Sequence, residues 1–142
     1  MSAQSSVLVV EDEIADALLL QRAFGRTGIG GGIKVVPDGG EAIDWLLARP
    51  ANRPLPALII LDLKLRKVDG HRVIEKLKET EDIRRIPIVV LTSSSDPKDI
   101  ALAYDLGANS YIVKPVRASD LQLIVKDLAT YWLSRNQGGI SR

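Results

Sequence analysis

Five short, nearly continuous apolar runs decide most of what this chain can fold into. They occupy residues 7–10, 33–36, 57–61, 86–91 and 111–113. A strand with one wet face alternates polar and apolar residues. Continuous hydrophobicity instead marks strands buried on both faces, as in a parallel sheet. Pro87 stands near the start of its run, where a missing N–H is tolerated. Between the runs, apolar residues recur with helical spacing: Ile14, Ala17 and Leu18; Ala42, Ile43, Leu46 and Leu47; Val73, Ile74 and Leu77. Residues 97–106 open with Asp96 as an N-cap and Pro97 in the first helical position. Leu121, Ile124, Val125, Leu128 and Trp132 form a last amphipathic stripe. Strand then helix, five times over, predicts an α/β fold: a doubly wound parallel sheet with right-handed crossovers and helices on both faces.

The 142 residues suit a single domain, taken as 5–134 with a polar C-terminal tail at 135–142. Lys+Arg (19) nearly balance Asp+Glu (18), so the basic field of a nucleic-acid binder is missing. With no cysteine, disulfides and thiolate chemistry are excluded. The first apolar run is too short for a secretory signal, and no run approaches a membrane span. The expectation is a cytoplasmic protein without a membrane or nucleic-acid partner.

In an open parallel sheet, ligands bind beyond the carboxyl ends of the strands, where the strand order reverses. Here those ends carry Glu11-Asp12-Glu13, Pro37-Asp38, Asp62, Thr92-Ser93-Ser94 and Lys114-Pro115. With the flavodoxin-like order 2-1-3-4-5, Glu11, Asp12 and Asp62 crowd together, and Thr92 and Lys114 lie on the adjoining strands. Crowded carboxylates repel unless one is protonated or a cation joins them. Mg²⁺ is such a cation, held by one or two carboxylates, waters and phosphate oxygens. An ammonium group beside it suits phosphoryl transfer, where positioning and charge neutralisation supply most of the catalysis.

The run Glu11-Asp12, the segment 62–70 (Asp-Leu-Lys-Leu-Arg-Lys-Val-Asp-Gly), Leu91-Thr92-Ser93 and residues 111–115 (Tyr-Ile-Val-Lys-Pro) together resemble the receiver domain of two-component response regulators. That resemblance implies the following roles. Asp62 accepts a phosphoryl group from a sensor histidine kinase. Asp12, Asp62 and the backbone carbonyl of Lys64 bind Mg²⁺, with Glu11 acting through a metal-bound water. Thr92 and Lys114 contact phosphoryl oxygens, Tyr111 turns inward as the aromatic switch, and the Lys114–Pro115 bond is cis. Glu11, Arg66 and Ser93 depart from the commonest family residues, and Lys64 and Ser94 stand at variable positions that, in the family, tune the lifetime of the phosphorylated state. A finer resemblance, carried by residues 82–94, Tyr104, residues 107–111 and Tyr131-Trp132-Leu133, is to the small response regulators that partner bacteriophytochrome kinases. Receivers commonly dimerise through the face of helix 4, strand 5 and helix 5, which here carries Tyr104, Tyr131 and Trp132. With the receiver filling the chain, the output is expected to be a docking event or a relay.

Plainer readings stand beside these. Asp62 could cap a turn, Thr92 could end a strand, and Tyr111 could be a core aromatic. Glu13 and Asp16 read as first-turn acids of a helix. His71 has no ligand or base partner in sequence and reads as a surface residue. Asp38, after the edge strand, should lie outside the pocket. The glycines at 28 and 30–32 follow a helix rather than a strand, so they read as a connector and not a phosphate loop. Two other functions compete. A phosphohydrolase with an aspartyl nucleophile typically needs an acid at position 64, which is Lys64. A flavin or nucleotide carrier needs a Ser/Thr/Gly-rich loop where Glu11-Asp12-Glu13 stands.

Overall fold

The computed structural model of the chain describes residues 5–29 and 31–139. Strands β1 (Ser5–Val10), β2 (Gly32–Val36), β3 (Leu58–Leu61), β4 (Ile88–Thr92) and β5 (Ser110–Val113) alternate with helices α1 (Ile14–Thr27), α2 (Gly39–Leu47), α3 (Gly70–Glu79), α4 (Pro97–Leu106) and α5 (Ala118–Thr130). All pairings are parallel and the order is β2-β1-β3-β4-β5. The expected flavodoxin-like (βα)5 sheet is therefore observed.

Alternate residues of each central strand feed two cores, which is why the strands are apolar throughout. Leu8, Val10, Ile59, Leu61, Ile88 and Val90 face α2, α3 and α4, beside Leu46, Val73, Ile74 and Leu77. Val7, Val9, Leu58, Ile60, Val89 and Leu91 face α1 and α5, beside Leu20, Phe24, Val125 and Leu128. The stripe expected on α1 is corrected: Ala17, Leu20, Ala23 and Phe24 are buried, whereas Ile14 and Leu18 face outward. At the start of the helix the chain is still leaving the sheet edge, so Ile14 overhangs the core. Trp132 packs partly against the α1–α5 core, and Tyr131, meeting it edge-on with ring centroids 5.0 Å apart, stays exposed. These two begin a π-helical turn at Tyr131–Arg135 that continues α5.

Three of the five helices begin on an aspartate whose carboxylate accepts a first-turn N–H: Asp38 from Glu41, Asp69 from His71 and Asp96 from Lys98. Asp38 is buried and also pairs with Lys67 at 3.5 Å. Among the described residues no helix is long and apolar enough to cross a membrane.

Candidate functional site

Register brings the strand-end residues together. Val10 pairs with Leu61 across β1 and β3, so Glu11 and Asp62 leave the sheet side by side. The Asp62 N–H donates to the Val10 carbonyl at 3.1 Å, carrying the ladder one residue further. Thr92 pairs with Val113, and the Lys114 N–H donates back to the Thr92 carbonyl at 2.7 Å. Beyond Asp62 the chain folds back so that the Gly70 N–H donates to the Leu63 carbonyl at 3.0 Å.

The centre of the site is the Lys114 ammonium. Its Nζ lies 2.7 Å from Glu11 Oε1, 2.7 Å from Asp16 Oδ2 and 2.8 Å from Asp62 Oδ2. Burial alone would lower the pKa of Lys114, but the bonds to Asp16, Asp62 and Glu11 raise it well above the usual lysine range. Burial pushes Glu11 up to about 7 despite the Lys114 bond, and the charge on Asp62 adds to that. Asp62 feels the same burial, yet Lys114 and the Lys64 N–H at 3.0 Å hold it below the ordinary carboxylate range. The pocket thus keeps one carboxylate, Asp62, firmly ionised.

Asp12 stands to one side and is partly exposed, with Oδ2 accepting the Arg66 N–H at 2.7 Å. The Thr92 hydroxyl is buried and completes no hydrogen bond among the described residues, an uncommon condition that a ligand oxygen would relieve. Tyr111 is half-buried against the α2–α4 core and its hydroxyl donates to the Ser94 carbonyl at 2.9 Å. Lys64 itself is exposed.

Three expectations need correction. Asp16 is not merely a first-turn acid, because the first turn of α1 aims its carboxylate at Lys114. His71 is buried: Nδ1 lies 3.2 Å from Asp69 Oδ1 and Nε2 lies 3.0 Å from the Asp99 carbonyl. A carbonyl only accepts, so Nε2 carries hydrogen and ties α3 to the first turn of α4. No peptide bond among the described residues is cis, so Lys114–Pro115 is trans. The prolyl amide favours trans by about 0.5–1 kcal/mol, and the trans bond already delivers Lys114 to all three carboxylates.

The donor set is all oxygen, as hard divalent cations require. No three described His, Cys, Asp or Glu side chains converge closely enough to hold a metal by themselves. A cation that takes one or two carboxylates and keeps its waters does not need them to. Glu11, raised by burial and by the charge on Asp62 beside it, would be eased by such a cation, so the residues fit such an ion.

Residues 7–126 match the response regulator receiver domain. The chain belongs to that family. This receiver is 44% identical to the probable methanogenesis regulatory protein FilR2 of Methanothrix harundinacea, across 92% of this chain and 85% of that one. Response regulator Rcp1 of Synechocystis is 36% identical, across 89% of this chain and 88% of that one. The Mn²⁺-bound form of Rcp1 superposes with a TM-score of 0.82. The phosphorylated cyanobacterial phytochrome response regulator RcpA superposes with a TM-score of 0.86 at 38% identity, covering 96% of this chain and 99% of its own. The receiver is thus a response regulator homologous to Rcp1 and RcpA.

Proposed function

We propose that the receiver takes a phosphoryl group onto Asp62 from a phosphohistidine of a sensor kinase, in a reaction dependent on a divalent cation. The observation that carries this is the pairing of a buried, ionised Asp62 with a buried Thr92 hydroxyl that lacks a partner. An Asp62 oxygen bonds phosphorus while the P–N bond breaks. Its electron pair leaves with the imidazole nitrogen, which takes a proton. Lys114 and Thr92 donate to the phosphoryl oxygens, and the Lys64 N–H keeps the other Asp62 oxygen in place. Asp12, Asp62 and the Lys64 carbonyl, with Glu11 through a water, would hold the cation. Mg²⁺ is the proposed ion; when bound, it neutralises phosphoryl and carboxylate charge.

The added charge draws Thr92 toward the phosphoryl group, and Tyr111 moves into the space released. The changed surface is then the face of α4, β5 and α5, where Tyr104 and Tyr131 are exposed. Aromatic residues are enriched in interface cores, so this face is proposed to form a homodimer or to dock a downstream protein. Sedimentation should show wild-type dimers that a Tyr104→Ala, Tyr131→Ala double variant loses. Wild type that stays monomeric with and without a phosphoryl mimic leaves docking as the role of the face.

A bacteriophytochrome is the proposed kinase, because RcpA is a phytochrome response regulator and shares fold and sequence with this receiver. FilR2 carries a different designation at higher identity, so kinases of both kinds belong in a phosphotransfer panel. In that panel, wild type should be labelled only when Mg²⁺ is present, and Asp62→Asn should not be labelled. Labelling of Asp62→Asn at the wild-type rate would overturn the proposal.

A further inference from the structure

Resting on the phosphoryl-acceptance reading, we propose that Asp16 gates Lys114, holding the ammonium between transfers and yielding it to the incoming phosphoryl group. An ammonium has three N–H donors, and here Glu11, Asp16 and Asp62 each occupy one, at 2.7, 2.7 and 2.8 Å. A phosphoryl oxygen reaches Lys114 only if a carboxylate lets go. The Asp62 contact is lost only as that oxygen bonds phosphorus, so an earlier donor must come from Glu11 or Asp16. The Glu11 side chain is 2% exposed and has little room to turn to water. The Asp16 side chain is 37% exposed and can turn to water. It also sits in the first turn of α1, where the N-terminal end of the helix favours a carboxylate without any help from Lys114. Of the three partners, Asp16 is the one that exchanges at low cost.

Asp16 touches no reacting atom in this scheme. It is a positioning residue, and it competes with the phosphoryl group for one proton donor. Asp16→Asn, which keeps the shape but weakens the acceptor, therefore leaves Lys114 freer to meet the phosphoryl oxygens. Asp16→Glu keeps the charge and should keep the gate.

The test uses phosphoramidate as donor with Mg²⁺ present, and beryllofluoride as a non-reacting probe. In the transfer, an Asp62 oxygen bonds phosphorus, the P–N bond breaks, and the nitrogen takes its electron pair and a proton to leave as ammonia. Asp16→Asn should raise both the rate of labelling and the affinity for beryllofluoride about threefold, the factor that matches a half-exposed ion pair. Asp16→Glu should stay near wild type. Against a Lys114→Met background, Asp16→Asn should change neither quantity. A gain that persists in the Lys114→Met background, or wild-type values for Asp16→Asn, would overturn the gate while leaving acceptance on Asp62 intact. Wild type that takes up neither phosphoryl group nor beryllofluoride would overturn both.

Discussion

A receiver carrying Gly70→Ala is expected to lose about 3 kcal/mol of stability and to accept phosphoryl groups poorly. A Cβ at position 70 would lie 2.4 Å from Leu63 Cα and 2.6 Å from the Asp62 carbonyl oxygen. Both are backbone atoms, so no side-chain rotation relieves the clash. The segment after Asp62 would have to move, taking with it the Gly70 N–H bond to Leu63 and the Lys64 N–H that holds Asp62. Gly25→Ala is the control, because nothing lies within 4 Å of its added methyl and it stands inside α1. That variant should gain about 0.5 kcal/mol from improved helix propensity. Denaturant unfolding of both variants checks the pair. A Gly70→Ala midpoint equal to wild type would show that the return of the loop onto Gly70 is not required.

Lys114→Met should have the second large effect, on chemistry more than on folding. The substitution keeps the apolar stem but removes the cation shared by Glu11, Asp16 and Asp62. The Lys114 side chain is 17% exposed, so water softens the loss below that of a fully buried pair, and about 2 kcal/mol is expected in metal-free buffer at neutral pH. Mg²⁺ should restore part of it, because a divalent cation binds the same crowded carboxylates and favours the folded state by mass action. Phosphoryl acceptance should fall about 100-fold or more, the usual cost of deleting a preorganised charge from a transfer site. Unfolding with and without Mg²⁺, beside single-turnover labelling, tests this. Labelling at the wild-type rate would mean that Lys114 serves packing and not transfer.

The sheet was legible in the sequence because burial on both faces leaves a plain mark. Residues 58–61 and 88–92 are apolar at nearly every position, which only helices on both sides can satisfy. Once the strand order is 2-1-3-4-5, the ends of β1 and β3 must be neighbours, so the proximity of Glu11 and Asp62 followed from topology alone. The geometry around them was harder to foresee. Asp16 was disguised by chemistry, since a carboxylate in a first helical turn already has a reason to be there. Its partner Lys114 lies 98 residues away in the chain, so no local spacing marked it. The burial of His71 was hidden because one of its partners, the Asp99 carbonyl, belongs to the backbone and lies 28 residues away. The outward turn of Ile14 and Leu18 depended on how α1 leaves the sheet, which periodicity does not encode.

Locating the phosphoryl group on the labelled protein tests the central claim most directly. Wild-type receiver, phosphorylated by phosphoramidate or a sensor kinase with Mg²⁺, would be trapped by borohydride, which reduces an acyl phosphate but spares phosphoserine and phosphothreonine, and mapped by mass spectrometry. Asp62 should be the sole modified residue, and Asp62→Asn treated alike should yield none. A modification on Glu11, Asp12 or Asp16, or borohydride-resistant label on Thr92, Ser93 or Ser94, with Asp62 intact, would contradict the account.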